Sequence, residues 1–188
     1  LFSLIASPLV GENGKVIAFE PSPETYKRLT ENISLNDFKN IDARNKGISD
    51  KKEKLNISIS ESGYDAWNTF APGDATHFSK QVAVDVNTID EELKNIDKSK
   101  IKIIKIDVEG WEKFVIFGGK NLLTQYSPII MMEFTETNTF AAGYIVHELY
   151  DLMEDLGYKW YEYINGHLIK SPKKLHYPYN NLIAKKDN

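Results

Sequence analysis

The sequence predicts an α/β fold: a mostly parallel sheet with an antiparallel last strand and a small β insertion. Three observations carry that expectation. Short apolar runs, such as Val16–Phe19, Ile101–Ile106 and Ile129–Met132, alternate along the chain with stretches of helical period, the pattern of βα units. Two runs of period-2 alternation, around Leu55–Ile59 and Val82–Val86, follow one another with no helical stretch between them. They read as an antiparallel pair inserted into the sheet. Three of the buried-looking runs end in an acid, at Glu20, Asp107 and Glu133, and open α/β sheets bind ligands outside the carboxyl ends of their strands.

Each element has its own local signal. Leu1, Leu4 and Ile5, with Phe2 and Ala6, are spaced as on a helix, which Pro8 is expected to stop. A turn at Gly11–Gly14 leads into the strand Lys15–Phe19. Glu20-Pro21-Ser22-Pro23 ends that strand and starts a helix, with Ser22 as N-cap and Pro23 at the first helical position. Asn36-Asp37 closes the helix, and Ile41–Ile48 is a strand of mixed character. Between the two alternating strands, Ser62–Ser79 has no period and is rich in aromatic and polar residues; loops of that length are usually functional. Thr88–Leu93 is a short acidic helix. Ile101–Ile106, the strongest strand signal, runs straight into Asp107-Val108-Glu109-Gly110 and a helix through Trp111, Phe114, Val115 and Phe117. Ser127-Pro128 introduces the strand Ile129–Met132. Ile145, Leu149, Leu152, Met153 and Leu156 form a helical stripe closed by Gly157, and Tyr158–Ile164 and Asn181–Ala184 are the last two strands.

Composition narrows the class. At 188 residues the chain fits one domain. The absence of cysteine excludes a disulfide scaffold, a thiolate zinc site and a cysteine nucleophile. A net charge of −4 argues against a nucleic-acid partner, and no apolar run approaches the roughly 20 residues of a membrane span. A cytoplasmic location is the matching expectation. The sequence opens at Leu1 without a cap, inside the first helical stretch. A βα unit that opens on its helix lacks its first strand, so residues 1–188 read as a single domain truncated before that strand and its glycine-rich loop.

The strand-end acids are the main functional signal. Each also has a structural reading: Glu20 and Asp107 as helix caps, Glu133 as a solvated carboxylate. Three at one rim favour a site. A carboxylate ending the second strand of a βαβ unit, about 20 residues beyond a glycine-rich turn, accepts hydrogen bonds from ribose hydroxyls, which suits Glu20.

Gly14-Lys15-Val16-Ile17-Ala18-Phe19-Glu20-Pro21 and Lys105-Ile106-Asp107-Val108-Glu109-Gly110-Trp111-Glu112 together carry a family likeness. With Leu1–Ser7, Gly118-Gly119, Ile129–Glu133 and Asp65-Ala66-Trp67-Asn68-Thr69-Phe70, they resemble the FkbM family of S-adenosylmethionine-dependent methyltransferases, from Leu1 to about Lys185. The resemblance implies a class I methyltransferase (Rossmann-like) sheet of seven strands, the last antiparallel, and S-adenosyl-L-methionine as cofactor. It implies a ribose on Glu20, with Pro21 and Ser22 beside it, and an adenine flanked by Gly47 and Ile48, where the family commonly has Ala-Leu. The family's glycine-rich motif is absent from this chain.

Methyl transfer to a hydroxyl needs alignment, exclusion of water and a proton acceptor. Asp107, which closes the central strand, is the candidate catalytic base; contact with the cofactor's methionine end is the competing role. Glu109 and Glu112, three residues apart, are expected to share a helix face, either toward substrate or against the helix dipole. Glu133 is a candidate substrate contact. No metal is expected, because no His lies near these motifs. Trp67 and Asn68 suit a sugar-like acceptor, and His77 is a candidate base from the long loop. The expected function is O-methylation of a hydroxyl on a sugar, glycan or polyketide-like small molecule. The alternatives are a nicotinamide-dependent oxidoreductase on a similar sheet and a non-catalytic nucleotide-binding or assembly module.

Overall fold

The computed structural model describes residues 1–60, 68–71 and 78–187. Its elements in chain order are α1 (Phe2–Val10), β1 (Val16–Phe19), α2 (Pro23–Leu35), β2 (Ile41–Arg44), β3 (Gly47–Ile48), β4 (Glu53–Ser60), β5 (Phe78–Asn87), α3 (Ile89–Glu92), β6 (Ile103–Ile106), α4 (Glu112–Phe117), α5 (Lys120–Gln125), β7 (Ile129–Phe134), α6 (Glu136–Ala141), α7 (His147–Asp155), β8 (Lys159–Ile164), β9 (His167–Lys170) and β10 (Asn180–Lys185).

Local chemistry accounts for most boundaries. Ser22 caps α2, its hydroxyl accepting from Thr25 N at 3.4 Å, and Pro23 takes the first helical position, where a missing N–H costs nothing. Thr88 caps α3 in the same way. Pro8 does not stop α1: the helix runs through it to Val10 and ends at Gly11, φ 73°. A proline this near a helix end forfeits a single intrahelical bond. The expected strand Ile41–Ile48 is two strands, because Asn45-Lys46 breaks it and β3 leaves β2 to pair with β5.

Among the described residues the strands form three sheets. β1 pairs with β2 in parallel. β5 pairs with β3 in parallel and with β4 antiparallel, which is the expected insertion. The largest sheet has the order β6-β7-β10-β8-β9. In it β6 and β7 are parallel, and β10 lies antiparallel between β7 and β8, as expected of the last strand. The fold is thus mixed α/β; three parallel ladders against four antiparallel ones correct the expectation of a mostly parallel sheet. The excess comes from β9, which sequence periodicity missed. Ile164 pairs with His167 across Asn165-Gly166, both at positive φ (50° and 85°), the two-residue turn whose twist suits a hairpin and which Asn-Gly favours.

The main core joins the β6–β7–β10–β8 face to α4, α5 and α7 through Ile116, Leu122, Ile130, Met132, Phe134, Leu149, Met153, Trp160 and Leu182. Burying each such side chain contributes about 1.5–3 kcal/mol. A smaller core of Ile57, Ile59, Val84 and Val86 belongs to the β4–β5 pair. The chain passes close to itself at Gly118, where a Cβ would lie 2.1 Å from the Ser49 carbonyl oxygen. No helix among the described residues is long and apolar enough to cross a membrane.

Candidate active site

β6 and β7 run in parallel with Ile106 opposite Met132. The next residues, Asp107 and Glu133, therefore stand side by side at the carboxyl ends of the strands. The chain then turns sharply. Glu109 has φ 51° and Gly110 φ 97°, a left-handed pair that delays the helix until Glu112. Glu109 and Glu112 do not share a helix face, as spacing alone suggested, because Glu109 precedes the helix. The turn instead sends the Glu109 carboxyl toward its neighbours, and carboxylate oxygens of Asp107, Glu109 and Glu133 lie within 4.8 Å of one another.

The three acids are held differently. Asp107 is ion-paired with Lys105 at 2.8 Å. Glu133, 6% exposed, accepts a bond from Thr135 Oγ1 at 2.7 Å; burial, and next the neighbouring Asp107 carboxylate, hold its carboxyl above the usual carboxylate range. Glu109 accepts a bond from Asn138 Nδ2 at 2.7 Å. Its pKa is pushed up to about 8, first by burial and then by the charges of Glu133, Asp107 and Glu112. As hard oxygen donors the three carboxylates are also of the kind that divalent cations such as Mg²⁺ or Ca²⁺ take.

A fourth acid, Glu112, lies beneath them, 2% exposed. Its Oε1 accepts from Val108 N and Gly110 N, both at 3.3 Å. Tyr144 Oη lies 3.0 Å from the Gly110 carbonyl oxygen and 3.3 Å from Glu112 Oε2. Burial raises the Glu112 pKa to about 7. A neutral Glu112 can donate to Tyr144 while Tyr144 donates to Gly110, so every polar group in this set is satisfied. The sign of the linkage follows. Because the folded-state pKa lies above the unfolded one, the stabilisation is complete below about pH 4.5 and is lost as pH rises through about 7. The stability difference between wild type and Glu112→Gln, read from urea melts, should shift against wild type by about 3 kcal/mol between pH 4.5 and 9. A difference independent of pH would show that Glu112 is ionised in the folded protein.

Glu20 stands apart from this trio, at the end of β1 in the two-stranded ladder. Its Oε1 accepts from Ser22 N at 2.9 Å, and Asn45 Nδ2 bonds the carbonyls of Glu20 and Pro21 at 2.8 and 3.1 Å. Ser22 is buried. Gly47 and Ile48 are also buried, with the Phe70 ring packed so closely on Gly47 that a Cβ there would meet it at 2.8 Å. Asn68 is engaged on both ends of its amide: Oδ1 accepts from Ser60 N at 3.1 Å and Nδ2 reaches Thr25 Oγ1 at 3.4 Å. Trp67 and His77 lie outside the described residues.

Consecutive residues link the two regions. Asn68 bonds the start of α2, and Thr69 donates from Oγ1 to the Glu109 carbonyl at 2.6 Å. The Glu20–Thr25 corner and the acid turn are thus one chain step apart across the segment 68–71. Sequence reasoning passed over Asn138 and Tyr144, which carry no local signal, and named Thr69 only within the family-like run 65–70, with no role of its own. Lys105 was missed as well, although residues two apart along a strand share a face, a signal that could have found its pairing with Asp107.

A family model described as "Methyltransferase FkbM domain" matches residues 2–160. A search of curated proteins gave no match. Among solved structures, the chain is similar to that of the methyltransferase FkbM from Methylobacillus flagellatus KT, with a TM-score of 0.51 at 16% identity. That likeness, which concerns the fold, covers 91% of this chain and 36% of the length of the other.

Proposed function

Because this chain belongs to the FkbM methyltransferase family, we propose that it transfers a methyl group from S-adenosyl-L-methionine to a hydroxyl of a sugar, glycan or polyketide-like small molecule. The observation that carries the reading is the set of three carboxylates at the ends of β6 and β7, within 4.8 Å of one another.

The residues present fit the cofactor chemically. Glu20 offers a carboxylate at a strand end, fixed by Ser22 N and by Asn45 on its own main chain, which suits a ribose diol. Pro21 and Ser22 shape that corner, and Gly47-Ile48 follow β2 as a second wall. The acid cluster suits a cationic group in a partly desolvated site. S-adenosyl-L-methionine, when bound, supplies a methyl group on a sulfonium, which is already a good leaving group.

The protein's task is then to align the acceptor and take its proton. Glu109 is the carboxyl best suited to that, since a base with a pKa near 8 is stronger than an ordinary carboxylate and still partly ionised at neutral pH. Asp107, ion-paired with Lys105, serves the cofactor's methionine end. The second reading, with Asp107 as the base, is favoured by its position at the end of β6. Glu133 and Asn68 line the acceptor side, and Trp67 and His77 are proposed to do so from the β4–β5 connection.

The class I arrangement is part of the proposal. Among the described residues β1 and β6 each pair on one side only, while α1 packs on β1 and its Phe2 ring lies 5.1 Å from Lys105 Nζ on β6. One further parallel strand between them would join the order β2-β1 to β6-β7-β10-β8 as a single sheet. On this reading residues 1–188 belong to a single methyltransferase domain.

Calorimetry with S-adenosyl-L-methionine on the full-length protein tests the cofactor assignment. Glu20→Ala should weaken binding about 10- to 100-fold, the worth of one to two charge-assisted hydrogen bonds. Affinity within twofold of wild type would remove Glu20 from the cofactor site.

A further inference from the structure

We propose that Thr69 is a positioning residue: its hydroxyl holds the Asp107–Gly110 turn in the shape that aims Glu109 at Asp107 and Glu133. The proposal rests on the methyl-transfer reading for the purpose of that turn, and on geometry for the hold itself.

Glu109 is a non-glycine residue in the left-handed region, φ 51°. Such a conformation persists where the surroundings over-determine it, because it costs about 1 kcal/mol or more. Two groups outside the turn hold Glu109. Asn138 of α6 holds the carboxyl, at 2.7 Å. Thr69 holds the main chain, donating to the Glu109 carbonyl at 2.6 Å.

Thr69 is itself fixed for this. It is 8% exposed, its backbone pairs with Ser58 of β4 in both directions at 2.9 and 3.2 Å, and its Oγ1 accepts from Ala71 N at 2.9 Å. With that acceptor role filled, the hydroxyl proton is directed to Glu109. Next to it, Phe70 packs on Trp111, ring centres 5.7 Å apart. Trp111 Nε1 in turn donates to Ser49 Oγ at 3.1 Å. The β4–β5 unit therefore reaches the acid turn through a specific bond as well as through packing. A threonine supplies both the hydroxyl and strand preference here. Serine keeps the first; valine keeps only the second.

Amide hydrogen exchange by NMR on the full-length protein tests this. In Thr69→Val, the Gly110 and Val108 amides, which bond Glu112 Oε1 within the turn, should lose protection by about tenfold or more, while Leu149 and Met153 in the core helix α7 keep theirs. Thr69→Ser should restore Gly110 to within about twofold of wild type. Unchanged protection at Gly110 in Thr69→Val, equal losses at Leu149 and Met153, or no rescue by serine would each overturn the proposal. A measurement on wild type guards against a variant that fails to fold. The buried Thr69 hydroxyl proton should give a slowly exchanging resonance with a cross-peak to Glu109, and its absence would also overturn the proposal. Calorimetry with S-adenosyl-L-methionine on the same samples separates the two readings. Absence of cofactor binding with the exchange result as expected would remove methyl transfer and leave Thr69 holding the turn.

Discussion

Glu109→Gln should lower methyl transfer by about 10²- to 10⁴-fold, the usual contribution of a positioned proton acceptor, while cofactor affinity stays within a few-fold. The sign of the pH effect is fixed by the same group. A base works when ionised, so kcat/KM of wild type should rise with pH through a limb near 8, where burial and three neighbouring carboxylates have pushed Glu109. Glutamine has no such proton to lose, and the limb should vanish with it. Asp107→Asn makes the comparison decisive. If Asp107 is the base, Asp107→Asn takes the large loss of turnover and Glu109→Gln leaves turnover within a few-fold of wild type. If Asp107 serves the cofactor, its variant raises the Kd for S-adenosyl-L-methionine and keeps the limb.

A large loss of stability is expected at Gly118→Ala. Gly118 has an ordinary helical φ of −73°, so conformational freedom is not what the position needs. What it needs is room. A Cβ would lie 2.1 Å from the Ser49 carbonyl oxygen and 3.3 Å from Thr88 Cα, and all of these are backbone atoms that cannot swing aside. Ser49 follows β3 and its hydroxyl accepts from Trp111 Nε1, so displacement would propagate to the acid turn. Alanine should cost about 3 kcal/mol or more, at or above the upper range for overpacking, read as a fall in the urea midpoint. Gly119→Ala meets the Ile89 Cγ2 methyl at 2.7 Å, a side-chain atom that can yield, and should cost less. Equal stability of Gly118→Ala and wild type would show that the α4 end lies farther from β3.

The Gly118-Gly119 pair was legible in the sequence only as part of a family likeness; its physical reason is the close approach of α4 to the β3 end. Other features were legible for reasons of their own. Ser22-Pro23 marked the start of α2 because capping is local chemistry. The acids after Ile106 and Met132 marked one rim because β6 and β7 are parallel neighbours. Glu20 was expected on that rim too, and the structure places it in a different ladder, since strand pairing is a long-range outcome that periodicity does not encode. The shared helix face expected of Glu109 and Glu112 fails because the helix starts only at Glu112. Two successive left-handed residues cannot be seen in Glu-Gly alone, and they part the two acids, leaving Glu109 beside Asp107 and Glu133 and Glu112 buried. Asn165-Gly166 did carry a readable signal for β9. Thr69 and Asn138 did not, because a single hydroxyl or amide becomes informative only once its partner is known.

The β4–β5 pair has a core of its own, built on Ile57, Ile59, Val84 and Val86, separate from the large core under α7. Two cores need not melt together. Glu109 is anchored on the main sheet yet takes part of its shape from Thr69 on the other unit. The acid turn therefore inherits the weaker of two stabilities. As temperature rises, catalytic competence would fade when the smaller unit begins to open, while most of the molecule is still folded.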